Sequence, residues 1–476
     1  MGGTVELPAW LAAIIVALAA LWLAERLLIP TVRWFLRRHV NQAIDELNTR
    51  LRLRIQPFKL TRRQSLVDRL IYDQEIVRAV EAHAAATGEP RAVAMARVET
   101  YAREVVPRFN AYAYFRFGTQ VARFLSRLLY RVRLGYMDDA ALQAVDPDAT
   151  VVFVINHRSN MDYVLVTYMA ASSSALSYAV GEWARVWLLQ SVIRAMGAYF
   201  IRRDSNDPLY RKVLARYVQL ATAEGVAQAM FPEGGLSRDG ALRPPKLGLL
   251  AYMVARFDPE GERDLVFVPV GINYDRVLED RNLTASLAKA AGTPHERRGT
   301  WAVVRYVARA LALKTGGRWH RYGYASVSFG APVSLRAYAR ERGLNFRKLA
   351  EEERFAATAE LGRLLMADVA KVVPVLPVSL VATLFIRADG RALSEIEVKS
   401  GTVALIDQLR TKGVHVHVPR QDRDYAVSAG LRMLTLRRLV EEKDGLYTAN
   451  PRESVLLRYY ANAIAHHFAG DPAASI

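Results

Sequence analysis

Four short runs built almost wholly of apolar residues constrain this chain most: "VVFVI" at 151–155, "GAYFI" at 197–201, "VAQAMF" at 226–231 and "LVFVPVGI" at 265–272. They do not alternate apolar with polar, so they suit strands covered on both faces, and longer helical stretches separate them. This pattern predicts an α/β fold over about 146–340, with a mixed, mostly parallel sheet wrapped by helices. A polar motif follows each run, and the carboxyl edge of such a sheet is where ligands bind.

The rest of the 476 residues reads as helical flanks. Residues 70–135 carry apolar positions at three- and four-residue spacing in "QEIVRAVEAHAAATG" and "TQVARFLSRLLYRVR", and "DPDAT" at 146–150 marks the change to strands. Beyond "GYASVSFGAPVSL" the chain turns helical again and closes with a helix, a short hairpin and a helix. "PVLPVSLVATLFI" near 380, with two prolines in thirteen residues, reads as core and not as a membrane span. The N-terminal "LPAWLAAIIVALAALWLA", 7–24, is long enough to act as an uncleaved anchor, and Arg33, Arg37 and Arg38 just beyond it place the bulk of the chain on the cytoplasmic side. The expected organisation is a membrane anchor at 1–30, a basic, mainly helical lead-in at 31–145, the α/β domain at 146–340 and a helical C-terminal domain at 341–476.

Composition excludes some chemistry. There is no cysteine, hence no disulfide, no thiolate metal ligand and no thiol nucleophile. The net charge of +18 attracts polyanions. The Arg-rich stretch "RLRLRIQPFKLTRRQ" beside a candidate anchor suits anionic lipid, whereas no motif accompanies it that would read nucleic acid.

The motifs supply acid–base chemistry and anion binding. In "NHRSNMD", His157 and Asp162 are a base and the carboxylate that orients it, an arrangement suited to deprotonating an alcohol. The plainer reading is a local turn with Asp162 capping the next helix. Ser159 lies between them, but no G-x-S-x-G sequence makes it a nucleophile. "EGGLSRDGALRPPK" brings Glu233, Gly234, Gly235, Ser237, Arg238 and Lys246 together, with glycines for close backbone approach and cations for a phosphate. It lacks the ending of a nucleotide P-loop. Arg202 and Arg203 end the second run, and Pro269 fits a strand edge, bulge or end. His415 and His417 share one face of "VHVHV" without a third metal ligand, and Tyr459, Tyr460, His466 and His467 read as packing residues.

In this order the four stretches resemble the four blocks of the glycerolipid acyltransferase superfamily, and most of all the PlsB-type glycerol-3-phosphate acyltransferases. "NHRSNMD", "GAYFIRR", "FPEGG" with its "PPK" and Gly248 continuation, and "FVPVGINYD" carry the likeness, which extends to "PRESVLLRYYANAIAHH". The resemblance implies that His157, oriented by Asp162, takes the proton of the sn-1 hydroxyl of glycerol 3-phosphate as it attacks a fatty acyl thioester. Arg158, Ser159, Arg202, Arg203, Glu233, Gly234, Gly235, Ser237, Arg238, Lys246 and Pro269 would form the substrate site. It further implies an acyl-CoA or acyl carrier protein co-substrate, no cofactor or metal, membrane lipid as a partner and a place on the cytoplasmic face of the inner membrane. Both branches of the superfamily commonly have an arginine where this chain has Leu236, which keeps a different acceptor such as lysophosphatidate open. A non-catalytic lipid- or partner-binding role on the same fold is the alternative of another class.

Overall fold

The computed structural model describes residues 56–110, 113–170, 177–180, 197–202, 205–290 and 322–469. The apolar stretch at 7–24 lies outside them. Among the described residues no helix is long and apolar enough to cross a membrane.

Eight strands form one mixed sheet: β1 (Arg131–Met137), β2 (Thr150–Ile155), β3 (Ser177–Val180), β4 (Tyr199–Phe200), β5 (Gln228–Met230), β6 (Leu265–Tyr274), β7 (Tyr324–Phe329) and β8 (Val333–Ser334). The order is β1-β7-β6-β2-β5-β3-β4, with β8 beside β6. Pairing is parallel except where β6 meets β7 and β8. Every residue of β2, β6 and β7 is buried, as strands covered on both faces require.

The lead-in helices form part of the same core. Ile76 and Val80, one turn apart on helix Gln74–Thr87, belong to one hydrophobic cluster with Val152 and Val154 of β2 and with Leu361, Leu365 and Val369 of helix Glu351–Val372. Helix Gln74–Thr87 starts at Asp73, whose side chain accepts the Glu75 N–H, and stops at Gly88.

β1 is a departure from the helical pattern expected through residue 135. Helix Thr119–Leu129 stops short of it, and Arg131–Met137 pairs with β7 instead. Gly135 makes that approach possible: a Cβ there would meet Ser328 Oγ at 2.3 Å. The strand partner overrides a helical spacing that is a weak preference by itself. Pro269 sits within a central strand without disturbing the ladder. Its carbonyl accepts the Gly330 N–H, where the partner of β6 changes from β7 to β8, so the missing N–H faces a turn.

The C-terminal helices follow the expected order. Helix Pro377–Arg387 is core, with Pro377 in its first turn. Helix Arg423–Leu436 leads into the hairpin Val440–Lys443 and Leu446–Ala449, which turns on Asp444 and Gly445, both at positive φ, and helix Ser454–Asn462 follows. His415 stacks on Tyr136 at 4.2 Å, while the His417 N–H donates to Val375 O. The His415 stack on β1 and the His417 ring, edge-on to Tyr324 of β7 at 5.1 Å, pin this region to the sheet.

Candidate active site

β2 ends at Ile155, and the Asn156 side chain extends its ladder by one step. Asn156 Nδ2 donates to Ile272 O at 2.9 Å and Oδ1 accepts the Ile272 N–H at 2.7 Å, so the following loop departs from a fixed point. Asp162 lies in the first turn of helix Met161–Ala170. One of its oxygens engages His157 Nδ1 at 2.9 Å and accepts the N–H groups of Arg158 at 2.7 Å and Ser159 at 3.0 Å. The other accepts the Tyr274 hydroxyl at 2.6 Å. Burial, then the neighbouring Asp162 charge, holds the Tyr274 phenol well above its usual range, so it stays a donor. Asp162 therefore both fixes the turn before its helix and orients an imidazole, while Ser159 Oγ accepts the first helical N–H.

With Nδ1–H directed at Asp162, His157 Nε2 is the accepting nitrogen. It is buried, has no hydrogen-bond partner among the described residues, and belongs to a residue that lines a cavity of ≈ 240 Å³. The ring is wedged against Phe231 at 4.3 Å and the edge of Tyr163 at 5.4 Å. A fixed base with one open nitrogen is what proton abstraction from an alcohol needs.

The Gly-rich loop holds the histidine backbone from both sides. Glu233 Oε1 accepts the His157 N–H at 2.9 Å, and the Ser237 N–H donates to His157 O at 3.1 Å. Burial raises the Glu233 carboxyl, against the pull of Arg158 and of backbone donors. Gly234 has φ +67°, and a Cβ there would lie 2.5 Å from Lys246 Cδ, so only glycine lets the lysine stem cross the turn. Gly234, Gly235 and Lys246 line the cavity together with His157 and Arg202.

Other residues expected in the substrate site stand elsewhere. Arg158 is fully buried and its Nη2 donates to Ala463 O at 3.1 Å. Ser159 Oγ donates to Glu279 Oε2 at 2.7 Å and accepts the Met161 N–H, which removes it further from a nucleophile's role. Ser237 Oγ is engaged with Asp239 and Ala241 O inside its own loop, Arg238 is exposed, and Pro269 lies within β6; none of the three lines the cavity. Arg202 does line it, but its guanidinium forms a forked pair with Glu104, Nη2 to Oε2 at 2.6 Å, between the rings of Tyr101 and Tyr210. Arg203 lies outside the described residues. No group of three or more His, Asp and Glu side chains among the described residues could hold a metal.

Five contributors escaped the motif reading. Asn156 and Tyr274 stand inside the quoted stretches, and their positions beside a strand end were the available signal. Glu279, which also accepts the Asn160 N–H, and Glu104 reach the site only through tertiary packing. Arg211 joins the cavity wall from helix Pro208–Ala223.

Residues 139–273 match the acyltransferase family model, and residues 291–474 match the model of the glycerol-3-phosphate acyltransferase C-terminal region. The resemblance carried by the four motifs is borne out. A glycerol-3-phosphate acyltransferase of Aeromonas hydrophila subsp. hydrophila is 29% identical over 422 residues, 86% of this chain and 51% of the relative. That of Pseudomonas entomophila is 26% identical over 425 residues, 86% of this chain and 49% of the relative. The chain thus spans about half the length of the curated relatives it matches. A crystal structure of the 1-acyl-sn-glycerophosphate acyltransferase of Thermotoga maritima covers 53% of this chain and 77% of its own at 16% identity, with a TM-score of 0.29, too distant to bear on the acceptor. The architecture on which His157 and Asp162 meet is a mixed sheet wrapped by helices, as the motifs implied.

Proposed function

We propose that this protein transfers a fatty acyl group from a thioester to the sn-1 hydroxyl of glycerol 3-phosphate, giving lysophosphatidate. The observation that carries the reading is the His157 ring, buried, tethered at Nδ1 to Asp162, unpartnered at Nε2 and part of the cavity lining. Nε2 accepts the hydroxyl proton as the alcohol oxygen attacks the thioester carbonyl. The tetrahedral intermediate then expels the thiolate, which takes the proton back from the imidazolium, while Asp162 stabilises that cation. No acyl-enzyme is needed, in keeping with a chain that has no cysteine and a Ser159 engaged by Glu279.

The donor is an acyl-CoA or an acyl carrier protein thioester. We also propose that residues 7–24 and the basic stretch after them hold the protein on the cytoplasmic face of the inner membrane, next to its lipid product. The test is acyl transfer by the full chain in detergent, offering either thioester with glycerol 3-phosphate or lysophosphatidate. Acylation of glycerol 3-phosphate that vanishes in His157→Ala supports the reading. Transfer to lysophosphatidate alone moves the acceptor, and no transfer to either leaves the reading without its enzyme.

A further inference from the structure

Three cationic side chains line the cavity among the described residues: Arg202, Arg211 and Lys246. They are not equivalent. Arg202 already faces a carboxylate, with Nε and Nη2 both on Glu104 at 2.6–3.2 Å, so its charge is cancelled before any ligand arrives. That pairing, held between two tyrosine rings, places it with the structural arginines.

Arg211 is different. It stands in the first turn and a half of the sixteen-residue helix Pro208–Ala223, where a positive charge opposes the helix dipole and gains nothing for the helix. Its Nε donates to Ser205 O at 2.9 Å and its Nη2 to Asn206 Oδ1 at 2.9 Å. Both acceptors are neutral, so they fix the guanidinium plane without cancelling its charge. Arg211 has no carboxylate partner among the described residues, and the same holds for the Lys246 ammonium, whose stem is laid across Gly234. The third-block residues that would supply further cations do not reach the cavity: Leu236 is apolar and absent from the wall, and Arg238 is exposed away from it.

We propose that Arg211, acting with Lys246, is the specificity-determining residue that binds the phosphate of the acceptor. A phosphate monoester dianion calls for two cations, and a fork and a point charge lining one cavity supply them. Arg211 takes over here what an arginine at position 236 does not provide. This rests on the reading that the acceptor is a phosphorylated alcohol. The same pair of cations would also suit the phosphates of coenzyme A, so the experiment separates the two sources.

The full chain in detergent is assayed as wild type, Arg211→Gln and Arg211→Lys, with acyl-CoA and with acyl carrier protein thioesters, and glycerol 3-phosphate binding is measured independently by calorimetry. Arg211→Gln is expected to raise KM and Kd for glycerol 3-phosphate by about 10- to 100-fold, the scale of one lost charge-assisted hydrogen bond, with kcat and both donor KM values little changed. Arg211→Lys should recover part of that loss. An unchanged KM and Kd for glycerol 3-phosphate overturns the assignment, as does a rise confined to the KM of acyl-CoA, which would put the coenzyme's phosphates at Arg211. A wild-type protein that neither binds nor acylates glycerol 3-phosphate sinks the functional reading first and the assignment with it.

Discussion

Asp162 and Asp280 are both buried aspartates that accept a tyrosine hydroxyl, yet one holds an imidazole and the other an arginine. Asp280 meets a cation: Arg437 pairs with it, and Arg437 Nη1 also donates to Tyr460 OH at 2.8 Å. Burial alone would raise the Asp280 carboxyl, but Arg437, the Tyr460 hydroxyl and Arg276 hold it below the usual range. The cluster closes on itself and ties helix Ser454–Asn462 to the segment after β6. Asp162 meets no arginine or lysine side chain among its hydrogen-bond partners, which are two backbone N–H groups, a phenol and an imidazole, and that imidazole keeps one nitrogen unpartnered. A buried carboxylate with its charge cancelled holds the fold; one with its charge retained is able to stabilise an imidazolium that forms during a reaction.

The sharpest way to break this contrast is to change each aspartate's partner. His157→Ala should lower kcat by about a thousandfold or more in the acyl-transfer assay while cooperative unfolding persists. Activity within tenfold of wild type would remove His157 from the chemistry. Arg437→Ala should act on stability instead, costing about 3–5 kcal/mol in denaturant unfolding because Asp280 is left as an unpaired buried charge. Replacing both partners by apolar residues, Asp280→Leu with Arg437→Met, should restore most of that loss. If the double variant is as unstable as the single one, the cluster does more than balance charge.

Asp275 supplies a third case. It is buried and accepts the Tyr324 N–H at 2.8 Å and the Val378 N–H at 3.1 Å, without a cation. Burial pushes its carboxyl up from 3.8 to about 6 despite those donors. The native state therefore holds this proton more tightly than the unfolded chain, and its stabilising contribution falls as pH rises from near 4 to near 6, then levels off. The shift corresponds to about 3 kcal/mol. Wild type should lose roughly that much more stability between pH 4 and 7 than Asp275→Asn, read from denaturant midpoints; a pH-independent difference between the two would show that Asp275 is solvated or paired in solution.

These three aspartates also show how far the sequence could be read. The apolar runs at 151–155 and 265–272 announced strands buried on both faces, and the five-residue step from His157 to Asp162 announced a histidine held by a carboxylate. The run "RVRLGYM" did not announce β1, because its place at the sheet edge depends on β7, almost two hundred residues later. Arg202 was legible as a cation at a strand end but not as one already paired, since Glu104 arrives from a helix outside the α/β region. Arg158 looked like a substrate contact and turned inward to Ala463 for the same reason. Short-range pattern reports what a residue can do, while its partner, when it comes from a distant element, decides what is left over for a ligand.

Glu279 tests the smallest and most informative step between the two kinds of carboxylate. It adjoins Asp280, yet its own oxygens hold the histidine loop through Ser159 Oγ at 2.7 Å and Asn160 N at 3.3 Å. Burial raises its carboxyl, opposed by the Ser159 hydroxyl. It touches neither His157 nor the cavity wall, so it is a positioning residue that links the closed Arg437–Asp280 cluster to the open His157–Asp162 pair. Glu279→Gln keeps the shape and can still bond Ser159, so it should cost about 1 kcal/mol of stability and lower kcat by less than about tenfold, with KM for both substrates within twofold. Glu279→Ala, which releases the loop, should reduce kcat further at the same KM. A loss in Glu279→Gln as large as that in His157→Ala would mean that the charge of Glu279, and not its hold on Ser159, is what the reaction uses, and the division between the two aspartates would then have to be redrawn to include it.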